Sequence, residues 1–352
     1  MKNISVTVYI PGLWALLRHA GSEILESMPS LQLLLKRRDR STESSLESEA
    51  LLLNRLGWQG DENNDVPVAA LEHLLADSDG ISDSFWFCAN PINLLEDQNY
   101  LIMSYPSMLN LDLDESKALA DSINQHFAED GWHVEVIDNS RWYLRLDKNP
   151  CIRTTPAWRV VGRDIFNLMP EGENSIQWHS WLMELQMLLF NHPVNEKRTG
   201  QGLAAVNGLW LWGGGNLPEL LERHQLCLRG DSLFIQGVAR QSGCELKDLS
   251  DGMLEINNDQ LIMLEYARTA LQSGNMGQVM AALKELENSV FRPLFDLLKS
   301  KKLHNMSIVD SPGYIVNISA SGINRWWRRR DMEKLIRDPL VATEKYRKPY
   351  HL

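Results

Sequence analysis

Apolar and polar positions change period repeatedly along the chain, and each change predicts an element. Residues 4 to 10, Ile-Ser-Val-Thr-Val-Tyr-Ile, alternate with β-branched side chains throughout and stop at Pro11-Gly12, which predicts a strand. Trp14 to Leu25 reads as a helix, Pro29 restarts the chain, and Leu31, Leu34 and Leu35 carry an apolar stripe into Lys36-Arg37-Arg38. Ser41 to Glu49 is rich in Ser and Glu, yet Leu46, Leu51, Leu52 and Leu56 allow a helix that terminates at Gly57. Asp61 to Asp65 is a polar loop.

Two short apolar runs, Phe85 to Cys88 and Leu101 to Met103, predict buried strands, and Asp114 to Asp130 predicts a helix closed by Gly131. His133 to Ile137 and Trp142 to Leu146 alternate on either side of Asp138-Asn139-Ser140, the pattern of a β-hairpin. From Asn174 a long helix is expected, with Asn174 and Gln177 as a capping box and Trp181, Leu182, Leu185, Leu188 and Leu189 as its stripe, ending near His192-Pro193. Leu209 to Trp212 predicts a strand closed by the loop Gly213-Gly214-Gly215, with Pro218 opening a further helix. Leu261 to Leu264, a helix over Met276 to Leu298, and β material at Ile308-Val309 and Tyr314 to Ile318 complete the pass. Strands alternating with helices imply an α/β fold, with a mostly parallel sheet sandwiched by helices.

Composition narrows the function classes. The 352 residues carry 35 basic and 46 acidic side chains, a net charge of −11, so the overall field repels phosphate backbones. The exception is the tail from 325 to 352, which opens with Asn324-Arg325-Trp326-Trp327-Arg328-Arg329-Arg330 and is net basic. Nucleic acid or anionic lipid is therefore expected only through that tail, although a helix packing both tryptophans on the body is the favoured reading. Cys88, Cys151, Cys227 and Cys244 form no CxxC pair, which fits a reduced, cytoplasmic chain. Lys2 before the apolar run imitates a signal peptide, but Pro11 and Gly12 break the run. The uncharged stretch from Thr199 to Pro218 holds six glycines and Asn207, a composition unsuited to a membrane span, so no transmembrane segment is expected.

Several segments are distinctive: Trp-Phe-Cys-Ala-Asn-Pro at 86 to 91, Arg-Trp-Tyr-Leu at 141 to 144, His-Pro-Val-Asn at 192 to 195, and Val-Asn-Gly-Leu-Trp-Leu-Trp-Gly-Gly-Gly at 206 to 215. Together they resemble the RpfE-type regulatory protein family, often labelled cofactor-independent phosphoglycerate mutase, over roughly Ile4 to Arg330. Leu-Arg-Gly-Asp at 228 to 231 and Gly-Val-Ala-Arg at 237 to 240 are similar to the archaeal-type mutases of the alkaline phosphatase superfamily. The resemblance implies one α/β domain over 1 to 324, with 84 to 200 as an inserted subregion and the tail beyond it. It also implies two divalent metals at the carboxyl ends of the strands, a phosphoryl-accepting serine, and Asp and His ligands from several strand ends.

The chain departs from that implied set. Pro11-Gly12 stands where an Asp-Gly is implied, Tyr266-Ala267-Arg268-Thr269-Ala270 where an Asp and a His are implied, and Asp310-Ser311 where an Asp-His pair is implied. No metal site and no cofactor are therefore expected, and the reading is a non-catalytic regulatory or ligand-sensing protein with an unidentified protein or small-molecule partner.

Two other readings stay open: a metal-free or residual phosphomutase or phosphoryl-handling enzyme, with Arg163, Glu184 and His192 as the candidates for its centre, and an interaction module that uses the basic tail. Asn195, Arg198, Asn207, Trp212, Gly213, Gly214 and Gly215 are candidate ligand contacts, since a glycine loop exposes backbone N–H groups to an anion. The alternatives are a helix-capping and ion-pair network for the charged set, a tight turn for the glycines, and core packing for Trp178, Trp181, Trp210 and Trp212.

Overall fold

The computed structural model describes residues 3–60, 65–76, 83–97, 100–104, 109–161, 163–223, 226–249, 257–272, 275–310, 312–325 and 327. The alternating start of the chain is β1 (Ser5–Tyr9), which leads into α1 (Leu13–Ala20). Gly21 ends that helix, so the helix expected from Trp14 to Leu25 is interrupted and resumes only as a 3-10 segment. α2 (Pro29–Lys36) opens on its proline, whose missing N–H costs nothing in a first turn. β2 (Arg40–Ser44) and α3 (Ser48–Arg55) follow.

The middle of the chain supplies α4 (Val68–His73), β3 (Phe85–Ile92), β4 (Leu94–Asp97), β5 (Tyr100–Met103), α5 (Leu113–His126), β6 (His133–Val136) and β7 (Trp142–Leu146). Next come β8 (Ile152–Arg153), β9 (Glu171–Gly172), α6 (Ser175–Phe190), α7 (Pro193–Gly200) and β10 (Gly208–Gly215). The remainder contains β11 (Leu226–Arg229), α8 (Leu233–Ser242), β12 (Glu245–Lys247), β13 (Asp259–Met263), α9 (Tyr266–Gln272) and α10 (Met276–Glu285). It closes with α11 (Arg292–Lys299), β14 (Asn305–Asp310), β15 (Gly313–Ser319) and α12 (Ala320–Ile323). A π-helical stretch, Leu286–Phe291, joins α10 to α11. No helix opens at Pro218.

The described residues pack as two compact units, one formed by those up to Gln59 with those from Leu220 to Trp327, the other by those from Gly60 to Glu219. The first is built on a seven-stranded sheet in the order β12-β11-β13-β1-β14-β15-β2. The five strands from β12 to β14 are parallel, and β15 alone runs against them, antiparallel to both of its neighbours, β14 and β2, so the sheet is mixed and mostly parallel. Only two residues separate β14 from β15, too few for the crossover that a parallel pair requires. On one face Val6, Val8 and Ile10 pack with Leu13, Leu17 and Leu31 and with Leu283 and Leu294. On the other, the Tyr9 hydroxyl donates to the Leu51 carbonyl of α3 at 3.5 Å. Coverage of both faces explains why β1 is buried without a break from Val6 to Tyr9.

Neither α1 nor α2 has a side-chain cap of its own, and both N-termini are completed by acids from distant sequence. Glu287, in the π-helical stretch, accepts from Ser30 N at 2.8 Å and Leu31 N at 3.1 Å. Asp310 does the same for the first turn of α1, accepting from Gly12 N at 2.8 Å and Trp14 N at 2.6 Å. Each carboxylate satisfies orphan amides and opposes the positive end of a helix dipole.

The second unit holds a four-stranded antiparallel sheet, β10-β3-β7-β6. The hairpin β6/β7 turns at Asp138, whose Oδ1 accepts from Ser140 N and Arg141 N, each at 2.9 Å. Phe87, Ala89, Leu144 and Leu211 meet α5 and α6 through Leu119, Ile123, Leu185 and Leu189. Inside that core Trp132 stacks between Phe127 at 4.6 Å and Trp178 at 5.3 Å, with Trp181 edge-on to Trp178. Trp178 and Trp181 are therefore packing residues. The capping box expected at Asn174 is absent, since Asn174 donates to the Pro150 carbonyl instead; Asp112 and Glu115 form one at the start of α5. Among the described residues no helix is long and apolar enough to cross a membrane.

Candidate functional site

In open parallel sheets, sites form outside the carboxyl ends of the strands. In the first unit that edge consists of the residues that follow β1, β11, β13 and β14. β14 ends on Asp310, β13 leads through Leu264 into Glu265 and the first turn of α9, and β11 leads into Asp231 and Ser232, which caps α8 by accepting from Ile235 N at 3.4 Å. α9 comes close to the β1 turn, where a Cβ added at Gly12 would lie 3.4 Å from Arg268 N.

The rim carries a network of charged side chains. Arg268 donates to Glu49 Oε1 at 2.6 Å and lies 3.9 Å from Glu265. Burial opposes the charge on Arg268, and Glu49 and Glu265 outweigh it, leaving the guanidinium even harder to deprotonate than usual. Burial raises the Glu265 carboxyl, against Arg268 and with the help of Glu49 and Asp231. Burial likewise pushes Asp310 up to about 6, although Trp14 N–H, Gly12 N–H, Arg18 and Arg268 all favour its anion. The other oxygen of Glu49, Oε2, is buried with no hydrogen-bond partner among the described residues, an acceptor that the rim leaves open.

This donor set does not suit a pair of divalent cations. Such a pair requires many oxygen or imidazole donors free to coordinate. Both Asp310 oxygens are engaged by backbone N–H groups, and a permanently charged guanidinium stands in the rim beside Glu49. Among the described residues no cluster of three or more His, Cys, Asp or Glu side chains is placed to hold a metal ion.

The residues singled out from the sequence lie in the second unit, and most of them serve the backbone. His192 Nδ1 accepts from Val194 N at 3.2 Å, capping α7, while Nε2 meets Ser122 Oγ at 2.9 Å. Burial lowers its pKa. Glu184 pairs with His126 at 2.7 Å. Ser122 and His126 are one turn apart on α5, so Glu184 and His192 line up along the same helix. Arg163 belongs to the loop whose next residue, Asp164, bridges Ile102 of β5.

Asn195 donates to the Leu189 and Val206 carbonyls at 2.8 and 2.7 Å and accepts from Val206 N at 2.8 Å. Fully buried Arg198 donates to the Ala204 and Leu109 carbonyls and pairs with Glu115 at 2.7 Å. Asn207 imitates a strand neighbour, accepting from Leu94 N at 2.6 Å and donating to Leu94 O at 2.9 Å.

The triple glycine is not a loop after the strand. Gly213, Gly214 and Gly215 belong to β10 and lie across from β3, with an irregular register between Trp212 and Gly215 and a left-handed φ of +67° at Gly213. Gly214 N–H donates to an anion, but an internal one: Asp65 Oδ2, at 3.3 Å. Asp65 also accepts from Thr154 N at 3.0 Å and from the Thr154 hydroxyl. Burial pushes this carboxyl up to about 6, against those bonds. Trp212 donates to Asn90 Oδ1 and meets Trp158 edge-on at 4.8 Å, and Trp210 donates to the Thr155 carbonyl at 2.8 Å. Apart from Arg325 and Trp327, the basic tail lies outside the described residues. Glu49 and Asp65 were not among the predicted site residues; the signal for each is an acid set directly before an apolar run, Ala50 to Leu53 and Val66 to Leu71.

The fold class is thus α/β with a mixed, mostly parallel main sheet, and comparison with known proteins identifies relatives. The chain is similar to the probable 2,3-bisphosphoglycerate-independent phosphoglycerate mutase of Geobacter sulfurreducens, 24% identical over 202 residues, 57% of this chain and 48% of that one. It is 32% identical over 133 residues to the 2,3-bisphosphoglycerate-independent phosphoglycerate mutase of Methanothrix thermoacetophila, 38% of this chain and 31% of the relative. The matches therefore span about half the length of these relatives or less. Among solved structures, the cofactor-independent phosphoglycerate mutase of Thermoplasma acidophilum aligns over 94% of both chains at 14% identity, with a TM-score of 0.44. No family model matches the chain.

Proposed function

We propose that this chain is a non-catalytic phosphoglycerate-mutase-like protein with a regulatory or ligand-sensing role, as its RpfE-type resemblance implies. One arrangement carries the reading. At the carboxyl rim of the parallel strands, Asp310 is committed to the Gly12 and Trp14 amides, and the Arg268–Glu49 pair sits alongside. A guanidinium supplies fixed positive charge without an open coordination position, so it replaces a cation's electrostatic effect on the rim and none of its Lewis acidity. The relatives named as mutases support the ancestry, and the altered rim supports the loss of phosphoryl shuttling.

The test is direct. The purified full chain, supplied in turn with Mn²⁺, Co²⁺, Zn²⁺ and Mg²⁺, is incubated with 3-phosphoglycerate and followed by phosphorus NMR. No 2-phosphoglycerate above the protein-free control is expected; interconversion at an enzyme-like rate overturns the reading.

A further inference from the structure

α6 is apolar on two faces. Trp178, Leu185 and Leu189 bury one of them in the core of the second unit. On the other, Ile176, Met183, Met187 and Phe190 are 84%, 65%, 71% and 79% exposed, and Ser180 among them is exposed as well. Positions 176, 180, 183, 187 and 190 alternate steps of four and three, the 3.5-residue period of a helix–helix seam. They fall within one narrow stripe of the helix, flanked by Gln177 and Glu184 on one side and His179 and Gln186 on the other. Isolated exposed apolar residues are ordinary, but a contiguous stripe of this kind marks an interaction surface.

We propose that this stripe is a homodimer interface in which α6 pairs with α6 of a second copy, antiparallel about a two-fold axis through Met183. The stripe, Ile-Ser-Met-Met-Phe, is complementary in size to its own reversed image. Ile176 faces Phe190 of the other copy, Ser180 falls beside Met187, and Met183 meets itself. The small serine makes room for the long methionine, whereas a parallel pair would set Ser180 on Ser180 and Phe190 on Phe190, opening a gap in one layer and crowding another. The antiparallel arrangement also opposes the two helix dipoles.

The area suits a second copy. At roughly 150 Å² per exposed side chain, the four apolar residues offer about 600 Å² per protomer, close to the ~800 Å² per partner of a stable interface once flanking residues are added. A membrane surface is the poorer fit, because α6 contains no Lys or Arg to ring the apolar stripe and meet anionic headgroups. The interface is isologous, as two-fold dimers require.

Sedimentation equilibrium on the full chain tests the proposal, together with cysteine cross-linking in a Cys151→Ser background that removes the exposed native thiol. The wild type is expected to be dimeric at tens of micromolar, and Met183→Asp, which sets two like charges on the axis, to weaken dimerisation at least 100-fold with an unchanged circular dichroism spectrum. Met183→Cys is expected to cross-link with itself, and Ile176→Cys to cross-link with Phe190→Cys on mixing but not with itself. A wild type that stays monomeric at roughly 100 µM, or one that dimerises equally well with Met183→Asp, overturns the proposal. Self-cross-linking of Ile176→Cys overturns the antiparallel arrangement.

Discussion

Arg268 and Glu49 meet at 2.6 Å with only 11% and 3% of their side chains exposed, tying the first turn of α9 to the start of α3. Taking both charges out of water costs more than their attraction returns unless the surroundings are well matched, so the pair is held by the fold as much as it holds the fold. Arg268→Met leaves Glu49 as an uncompensated buried anion and is expected to cost about 3–5 kcal/mol. The double variant Arg268→Met/Glu49→Leu removes the orphaned charge and should recover most of that loss. Urea unfolding of the three proteins checks this; a single variant losing under about 1 kcal/mol would mean that the pair does not organise the rim.

The pH dependence of stability has a defined sign at two carboxylates. Asp310 and Asp65 are both raised from 3.8 to about 6 in the folded state, chiefly by burial. Between those values the folded chain binds more protons than the unfolded one, so their contribution to stability falls as pH rises from about 4 to about 6 and is level above that. Asp65→Asn keeps an acceptor for Thr154 N–H and removes the titration. The stability difference between wild type and Asp65→Asn should therefore shift in favour of wild type on acidification from pH 7 to 4.5, by an amount on the order of 2 kcal/mol. Thermal unfolding across that range reads it directly, and a pH-independent difference would refute the assignment.

How much of this was legible in the sequence depends on whether the deciding contact is local. β1, the β6/β7 hairpin and α6 announce themselves by period, because a strand or helix that buries one face must repeat at 2 or 3.6 residues. β2 gives no strand signal and falls largely in the Ser- and Glu-rich stretch, because Arg-Ser-Thr-Glu-Ser has no apolar alternation; it pairs at the sheet edge with β15, where polar residues are tolerated. α8, with Phe234, Ile235 and Val238 buried, went unpredicted despite Ser232 at its N-cap. The candidate site residues rest on charged and amide side chains around the His192 turn and on a glycine run, and both patterns mark buried hydrogen-bond staples and tight packing as readily as ligand contacts. The rim is least legible of all, since Glu49, Arg268 and Asp310 are brought together from three distant stretches of chain.

Gly214 provides a steric test of the structural role of the glycine run. A Cβ built there would lie 2.3 Å from a ring carbon of Phe87, far inside van der Waals contact, and Phe87 is fully buried. Gly214→Ala should destabilise the second unit by about 1–3 kcal/mol or more through overpacking. Combining it with Phe87→Leu removes the nearest ring atom, Cε1, together with Cζ, and should bring back part of the loss, although Phe87→Leu alone is destabilising. Non-additivity of this sign in a double-mutant cycle is the diagnostic; strictly additive losses would place the effect elsewhere.

Arg198 offers the sharpest separation of a structural from a ligand-binding role. Its guanidinium is enclosed by the Ala204 and Leu109 carbonyls and the Glu115 carboxylate, and Glu115 in turn belongs to the capping box that starts α5. One side chain thus pins the loop after α7, the segment before α5 and the α5 N-terminus. Arg198→Ala strands Glu115 and two carbonyls in a dry site and should cost about 3–5 kcal/mol. Arg198→Lys should recover little of that, because a single ammonium cannot reproduce the planar fork that serves three acceptors in different directions. Chemical denaturation measures both variants. Were Arg198 a ligand contact, the same substitutions would leave the midpoint near that of wild type.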